Sequence, residues 1–514
     1  MAHQNGTDRH QVFFFSLEDQ IGSDHPARAI DAFVDCLDLS ALGFQKTQAK
    51  RTGSPPFHPG DLLKLYIYGY LNKVRSSRGL ARECERNVEL WWLLKGLRPK
   101  YRTIAAFRAD HPTALQGVFR QFVALLDQLN LLGKEILALD GSKFRAQNSK
   151  KNNYNQKKID RHKAYYDDLI KGYFQALEQA DEWADKKEIH QQIDHAEARR
   201  SKYEELEEQL AEQQTDQLST VDEDSRAMIV RRQIVEVGYN VQAVVDAEHN
   251  LVVSCEATQH NDTHALGKMV RQTKEQLELQ EEEGFDLLAD KGYHTGRELA
   301  ECEAQGVVPY VAPPKHSQSN KGVPAAGYRS SDFAYYADRD AYVCPQGYWL
   351  TTTGTLTTKG KHDYRVKTYK AGAKRCRSCP AFGRCTTAKN GRVIERSEYQ
   401  DAIERNAERV NRKQELYRRR QAIVEHPFGT IKRGWGYDHT LLKGLQKVNG
   451  EMALIFLSYN LRRSLSILDV TGLIEALKRA FLAFLRRWRS VAQEICNLYH
   501  PSLRAISLAA RLNH

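Results

Sequence analysis

The chain has 514 residues, 76 Lys and Arg against 65 Asp and Glu, a formal net charge of +11 and a pI near 9.0. That length exceeds one simple core and predicts roughly two to four units, while the basic surplus favours a polyanionic partner. No apolar run approaches the roughly eighteen residues of a membrane span, the first residues lack the charged and apolar regions of a secretion signal, and nine cysteines, an odd number, do not read as a disulfide scaffold, so a cytoplasmic protein without a membrane partner is expected.

Residues 1–130 read as helical. Ile30, Phe33, Val34 and Leu37 recur at helical spacing, Pro55-Pro56 breaks the chain, and a second apolar helix is predicted over Pro59 to Leu71. Three short helices follow, with Ser77, Asn87 and Thr103 as candidate caps. They carry Arg75, Arg78, Arg82, Arg86, Lys100, Arg102 and Arg108, in the manner of a helix-turn-helix DNA reader or of an ordinary bundle with a solvated basic face. Residues 135–146 then read as a first core strand. A long polar helical region, 149–225, opens basic and carries two apolar stripes, Tyr166 to Leu177 and Tyr203 to Leu210. With a turn near Ala184-Asp185 it becomes an antiparallel helical hairpin.

The alternation of Val235 to Val245 and the return at Leu251 to Glu256 predict a β-hairpin, followed by a helix near 264–279. A strand ending at Asp290, a helix near 295–305 and a strand at Val307–Val311 come next. Residues 315–395 hold Cys344, Cys376, Cys379 and Cys385. The Cys376-x-x-Cys379 spacing, with Cys344-Pro345-x-Gly347 and a predicted β-hairpin between, resembles a closed four-cysteine module like a zinc ribbon; four unliganded thiols in a loop is the alternative. Residues 401–425 are helical and basic, and Pro427 is expected to kink that helix near Glu425. Met452 to Ile467 reads as an apolar helix. The tail, 466–514, carries an amphipathic helix with Lys478, Arg479, Arg486, Arg487 and Arg489 against Leu477, Phe481, Phe484 and Leu485.

Three acids stand out in this frame. Asp140 and Asp290 each follow a short apolar run, Ile136 to Leu139 and Leu287 to Ala289, which reads as a buried strand ending in a carboxylate at the sheet rim. Glu425 lies on the basic helix. Two strand-end carboxylates and one from a helix form an oxygen-only donor set, suited to Mg²⁺ or Mn²⁺ and not to zinc.

The stretches LALDGSKFRA, LLADKGYHTG and VEHPFGTIKRGWGY resemble the D-D-E catalytic core of bacterial insertion-sequence transposases. The resemblance covers roughly Phe13 to Leu461. It implies an α/β chain with a ribonuclease-H-like mixed-sheet core (131–148, 226–314 and 396–465), an all-α N-terminal DNA-binding or dimerisation domain, the helical-hairpin insertion and the cysteine insertion. It implies Asp140, Asp290 and Glu425 as catalytic Mg²⁺ ligands. The family's signature of Tyr, Arg, Glu and Lys on one helix falls on Tyr417, Arg420, Glu425 and Lys432, with four residues between Arg420 and Glu425 where the family has three. Tyr417, Arg420 and Lys432, with Lys143 and Arg145 beyond Asp140, are expected to touch substrate. The function so implied is cleavage at terminal inverted repeats and joining of the 3′-hydroxyl ends to target DNA by a homodimer on double-stranded DNA. A non-catalytic DNA-binding derivative and a nuclease without joining are the alternatives.

Overall fold

The computed structural model describes residues 10–12, 14–48, 55–231, 234–314, 327–358 and 364–499, with the side chains of the last helix described as far as Ala480. Two units divide the chain: Met1–Gly133, Gly141–His260 and Val424–His514 form the first, Lys134–Asp140 and Asn261–Ile423 the second.

The first unit opens with α1 (Pro26–Asp35), α2 (Pro59–Leu71), α3 (Ser77–Arg86), α4 (Val88–Leu93), α5 (Tyr101–Asp110) and α6 (Pro112–Gln128). Helix α2 has the bounds its sequence predicts, and its start is capped by His58, whose Nδ1 accepts from the Gly60 amide at 3.2 Å. It is apolar all round because it is central, with Leu63, Leu65, Tyr66, Ile67 and Tyr70 wholly buried. Asn87 caps α4 as expected, accepting from Glu89 N at 2.9 Å. Ser76, not Ser77, caps α3, and Thr103 lies inside α5, which Lys100 enters without a side-chain cap.

Strand β1 (Ile136–Arg145) leads to the short β2 (Asn153–Tyr154), then α7 (Gln156–Gln179), α8 (Trp183–Glu212) and β3 (Leu218–Ser219). The hairpin turns at Ala180–Glu182, ahead of the expected Ala184-Asp185, because Asp185 is taken into the first turn of α8, where an acid favours the helix dipole. Its apolar content is gathered at the base, where Tyr154, Ile159, Leu206, Leu210 and Leu218 form one buried cluster. Then come β4 (Arg226–Arg231), β5 (Ile234–Asp246) and β6 (Val252–Thr258), with β5 antiparallel to both of the others.

In the second unit, α9 (Leu266–Gln276), β7 (Asp286–Ala289), α10 (Gly296–Ala304) and β8 (Val308–Val311) fall where the sequence places them. Strands β7 and β8 are parallel, and β7 is parallel to the first half of β1. The hydrogen-bonded order is β4-β5-β1-β7-β8, with β6 also on β5. Omitting β4, that is the three-then-two order of a ribonuclease-H-like mixed sheet, with the apolar runs of β1 and β7 buried on its inner strands.

The cysteine-rich region of the second unit has β9 (Ala334–Tyr336), β10 (Ala341–Val343) and β11 (Trp349–Leu350) as one small sheet. A second sheet is formed by β12 (Thr357–Thr358), β13 (Arg365–Lys370) and β14 (Val393–Ser397), and α11 (Ala373–Arg377) follows β13. The expected β-hairpin between the cysteines is therefore the β12–β13 pair. Phe333, Tyr342, Leu350, Tyr369 and Ile394 form a core beneath both sheets. The basic helix is two helices, α12 (Gln400–Arg412) and α13 (Gln414–Gly429), broken at Lys413. Helix α13 runs through Pro427 and widens into a π-turn at Thr430–Gly434, so the expected interruption falls after Glu425. A proline removes one donor, here the one that would reach the Ile423 carbonyl a turn earlier.

Helix α14 (Leu445–Tyr499) returns to the first unit, where Met452, Leu454, Ile455, Phe456 and Leu457 are wholly buried. It breaks at Asp469 (φ 55°, ψ −176°), whose carboxylate accepts from Gly472 N at 2.8 Å and caps the remaining stretch. Phe481, Phe484, Leu485, Arg486, Arg487 and Arg489 of the expected amphipathic tail lie outside the described side chains.

Helix asparagines cover two of the outer strands of the sheet, β6 and β8. Asn460 accepts from Val252 N at 2.8 Å and donates to Val252 O at 2.7 Å, and Asn449 does the same to Ala257, so two positions of β6 are paired by α14. Asn406 of α12 pairs with Val311 of β8 in the same way, at 2.9 and 2.7 Å.

Candidate active site

In the second unit the register of β1 and β7 places the acids. The pairing of β1 with β7 ends at Leu139 and Ala289, and Asp140 and Asp290 are the residues that follow on the two chains. Parallel neighbours lie about 4.8 Å apart with side chains on the same face. Asp140 is not at the end of its strand, as the sequence suggests, since β1 continues to Arg145. It stands where the pairing with β7 stops. Asp290 leaves β7 into a 3-10 turn, Lys291–Tyr293, anchored by the wholly buried Tyr293.

One guanidinium lies between the two acids. Arg420 of α13 has Nη1 3.7 Å from Asp140 Oδ2 and Nη2 3.7 Å from Asp290 Oδ1, with 17% of its side chain exposed. Tyr417, one turn earlier, has its hydroxyl pKa raised by burial, against the pull of the Arg420 charge. Nearby, burial pushes the His294 imidazole pKa down, and its Nε2 is buried with no hydrogen-bond partner among the described residues. Glu425, which belongs to the first unit, is exposed.

In the first unit Lys432, in the π-turn, donates to Ser142 Oγ at 3.0 Å and to the Lys143 carbonyl at 2.6 Å, over the Phe144 ring. It thus grips the chain two and three residues after Asp140. Arg145 is ion-paired with Asp438 and lies 4.0 Å from Glu236. Two of the basic residues expected on a DNA-facing surface are internal. Arg75 is 7% exposed, within 3.5 Å of the wholly buried Glu451 and stacked over Tyr437, and Arg108 is 5% exposed and donates to Tyr70 Oη at 2.7 Å. Arg78, Arg82, Arg86, Lys100 and Arg102 are on the surface. At the hairpin base, Lys158 is also occupied, donating to the carbonyls of Lys150, Lys151 and Asn153.

The four cysteines of the second unit line one cavity of about 30 Å³, with room for an ion or a water or two. Cys344 Sγ accepts from Tyr348 N at 3.3 Å and Cys379 Sγ from Ala381 N at 3.4 Å. Burial raises the Cys385 thiol pKa, and Cys344, Cys376 and Cys379 add to that rise while Arg392 opposes it. Among the described residues, no three Cys, His, Asp or Glu side chains are grouped tightly enough to hold a metal ion as they stand. No helix among them is long and apolar enough to cross a membrane.

Two family models match the chain: the Transposase DDE domain over residues 343–465, and the Transposase domain (DUF772) over residues 15–110. No curated protein and no solved structure matches it. The first match takes in the cysteines, Tyr417, Arg420, Glu425 and Lys432, and the second takes in α1 to α5, while Asp140 and Asp290 lie outside both. With a transposase helical domain at one end, a DDE domain at the other and a mixed α/β sheet between them in sequence, the chain belongs to the insertion-sequence DDE transposases.

Proposed function

We propose that this transposase binds the terminal inverted repeats of its own element, cleaves the DNA there by metal-dependent phosphodiester hydrolysis, and joins the exposed 3′-hydroxyl ends to target DNA. The observation that carries the reading is the cation common to both acids. Asp140 and Asp290 point at a single cation, here the Arg420 guanidinium, so the pair already converges on one positive charge. Their all-oxygen donor chemistry fits Mg²⁺ or Mn²⁺. Glu425 is the third ligand in this reading, as the family's D-D-E pattern implies. Divalent ions bound by these carboxylates supply activation of the attacking oxygen and relief of charge on the leaving one.

The chain's own residues do the rest. Lys432 fixes the segment after Asp140 by holding Ser142 and the Lys143 carbonyl. Tyr417 and Arg420 offer a hydroxyl and a guanidinium to substrate phosphate. The surface cations of α3 and α5 bind the DNA ends. Two symmetric ends call for two copies of the chain, so a homodimer on DNA is expected. The test is nicking and strand transfer on duplexes bearing the element's ends. Asp140→Asn, Asp290→Asn and Glu425→Gln each abolish both activities and leave DNA binding intact. Full nicking by any one of them removes that residue from the site, and nicking without strand-transfer product in the wild type leaves a nuclease.

Cys344, Cys376, Cys379 and Cys385 are assigned to one structural Zn²⁺. The backbone N–H donors to Cys344 and Cys379 sulfur support the assignment, since such bonds favour thiolates. The four sulfurs close inward around the ion in this reading, and four thiolates leave no position open for catalysis. Metal analysis of purified protein should give one zinc per chain, lost in Cys376→Ser; absence of zinc from folded wild type overturns it.

A further inference from the structure

Arg420 stands where the carboxylate pair would hold a metal ion. Its charge is permanent, so it cannot be neutralised in place. Both of its approaches are 3.7 Å, too long for hydrogen bonds, so the guanidinium is shared loosely between Asp140 and Asp290 and forms the bidentate grip of neither. The Tyr417 hydroxyl, three residues back on the same helix, lies close enough to feel its charge.

We propose that Arg420 is a built-in competitor for the metal: it offsets one of the two negative charges of the Asp140–Asp290 pair until a divalent ion displaces it from between them. The proposal rests on the reading of these two aspartates as metal ligands. It has two consequences. A cation within a few ångströms of the incoming ion opposes loading, so the affinity of the protein alone for metal is held down. Displacement also releases a planar guanidinium beside the site, the group best matched to a phosphate oxygen pair. Loading the ion and presenting the phosphate-binding cation thereby become one event.

The experiment is Mn²⁺ titration of the full chain without DNA, read by the electron paramagnetic resonance of free Mn²⁺. Arg420→Gln should bind Mn²⁺ about tenfold more tightly than wild type. Arg420→Lys, whose compact ammonium cannot span both carboxylates, should also bind more tightly, and it serves if the glutamine variant is unstable. Arg419→Gln, which removes the same charge from an exposed position on the same helix, should match wild type. Unchanged or weaker binding in both Arg420 variants overturns the competition, as does an equal gain in Arg419→Gln, which would make the effect one of net charge. Asp140→Asn and Asp290→Asn form a separate arm: if both bind Mn²⁺ as wild type does, the ligand assignment itself is wrong.

Discussion

Single residues divide by what surrounds them. Asp140 and Asp290 are legible in sequence because each follows a run too apolar to be anything but buried. Arg75 and Arg108 are not, because an arginine on a short polar helix reads the same whether it meets water or Glu451. Removing Arg75 leaves a wholly buried Glu451 without its cation, so Arg75→Ala should cost about 3–5 kcal/mol in urea unfolding. The surface Arg78→Ala should change stability by less than about 0.5 kcal/mol and weaken DNA binding instead. Lys432 separates two roles. Its ammonium is already spent on Ser142 and the Lys143 carbonyl, so Lys432→Ala should lower the cleavage rate while the slope of DNA affinity against salt stays within measurement error. A slope smaller by about one would instead assign Lys432 a phosphate of its own.

Among the elements, the core strands and their helices follow the sequence because periodicity and caps agree with tertiary placement. The exceptions are local, as in α13, which runs through Pro427 and ends in a π-turn after Glu425. The asparagines on β6 and β8 show only as polar residues within otherwise apolar helical stretches. Each satisfies one backbone donor and one acceptor, so Asn460→Leu and Asn406→Leu should each destabilise by about 2–6 kcal/mol, from two orphaned groups at about 1–3 kcal/mol apiece. In the cysteine-rich region, Asp340 accepts from Lys367, Tyr369 and Tyr335, which hold its carboxyl pKa down at about 2 against a slight opposing effect of burial. Its folded value lies below the unfolded one, so its contribution is present above about pH 4 and is lost as pH falls toward 2. Asp340→Asn should lower the thermal midpoint at pH 7 and make no difference near pH 2.

On the scale of the whole chain, a +11 surplus predicts DNA affinity that falls steeply between about 50 and 200 mM salt. Much of the positive charge is internally paired, as Arg75, Lys158, Lys163 and Arg145 are, so the slope should report fewer phosphates than the count of cations suggests. Beyond its base cluster the α7–α8 hairpin buries Ile193 and Ala196 of α8, so a chain shortened between about residues 165 and 200 should keep most, but not all, of the thermal stability of the rest. The asparagine pairing also bears on how copies of this protein meet. A strand ladder extends by offering free backbone groups to a newcomer, and at Val252, Ala257 and Val311 those groups are already occupied by side chains. Neither β6 nor β8 can be lengthened there into a sheet shared between two protein molecules. Pairing of copies on DNA must therefore come from surfaces other than these two strands, and a partly folded chain is denied, at those positions, the simplest route into fibrous aggregates.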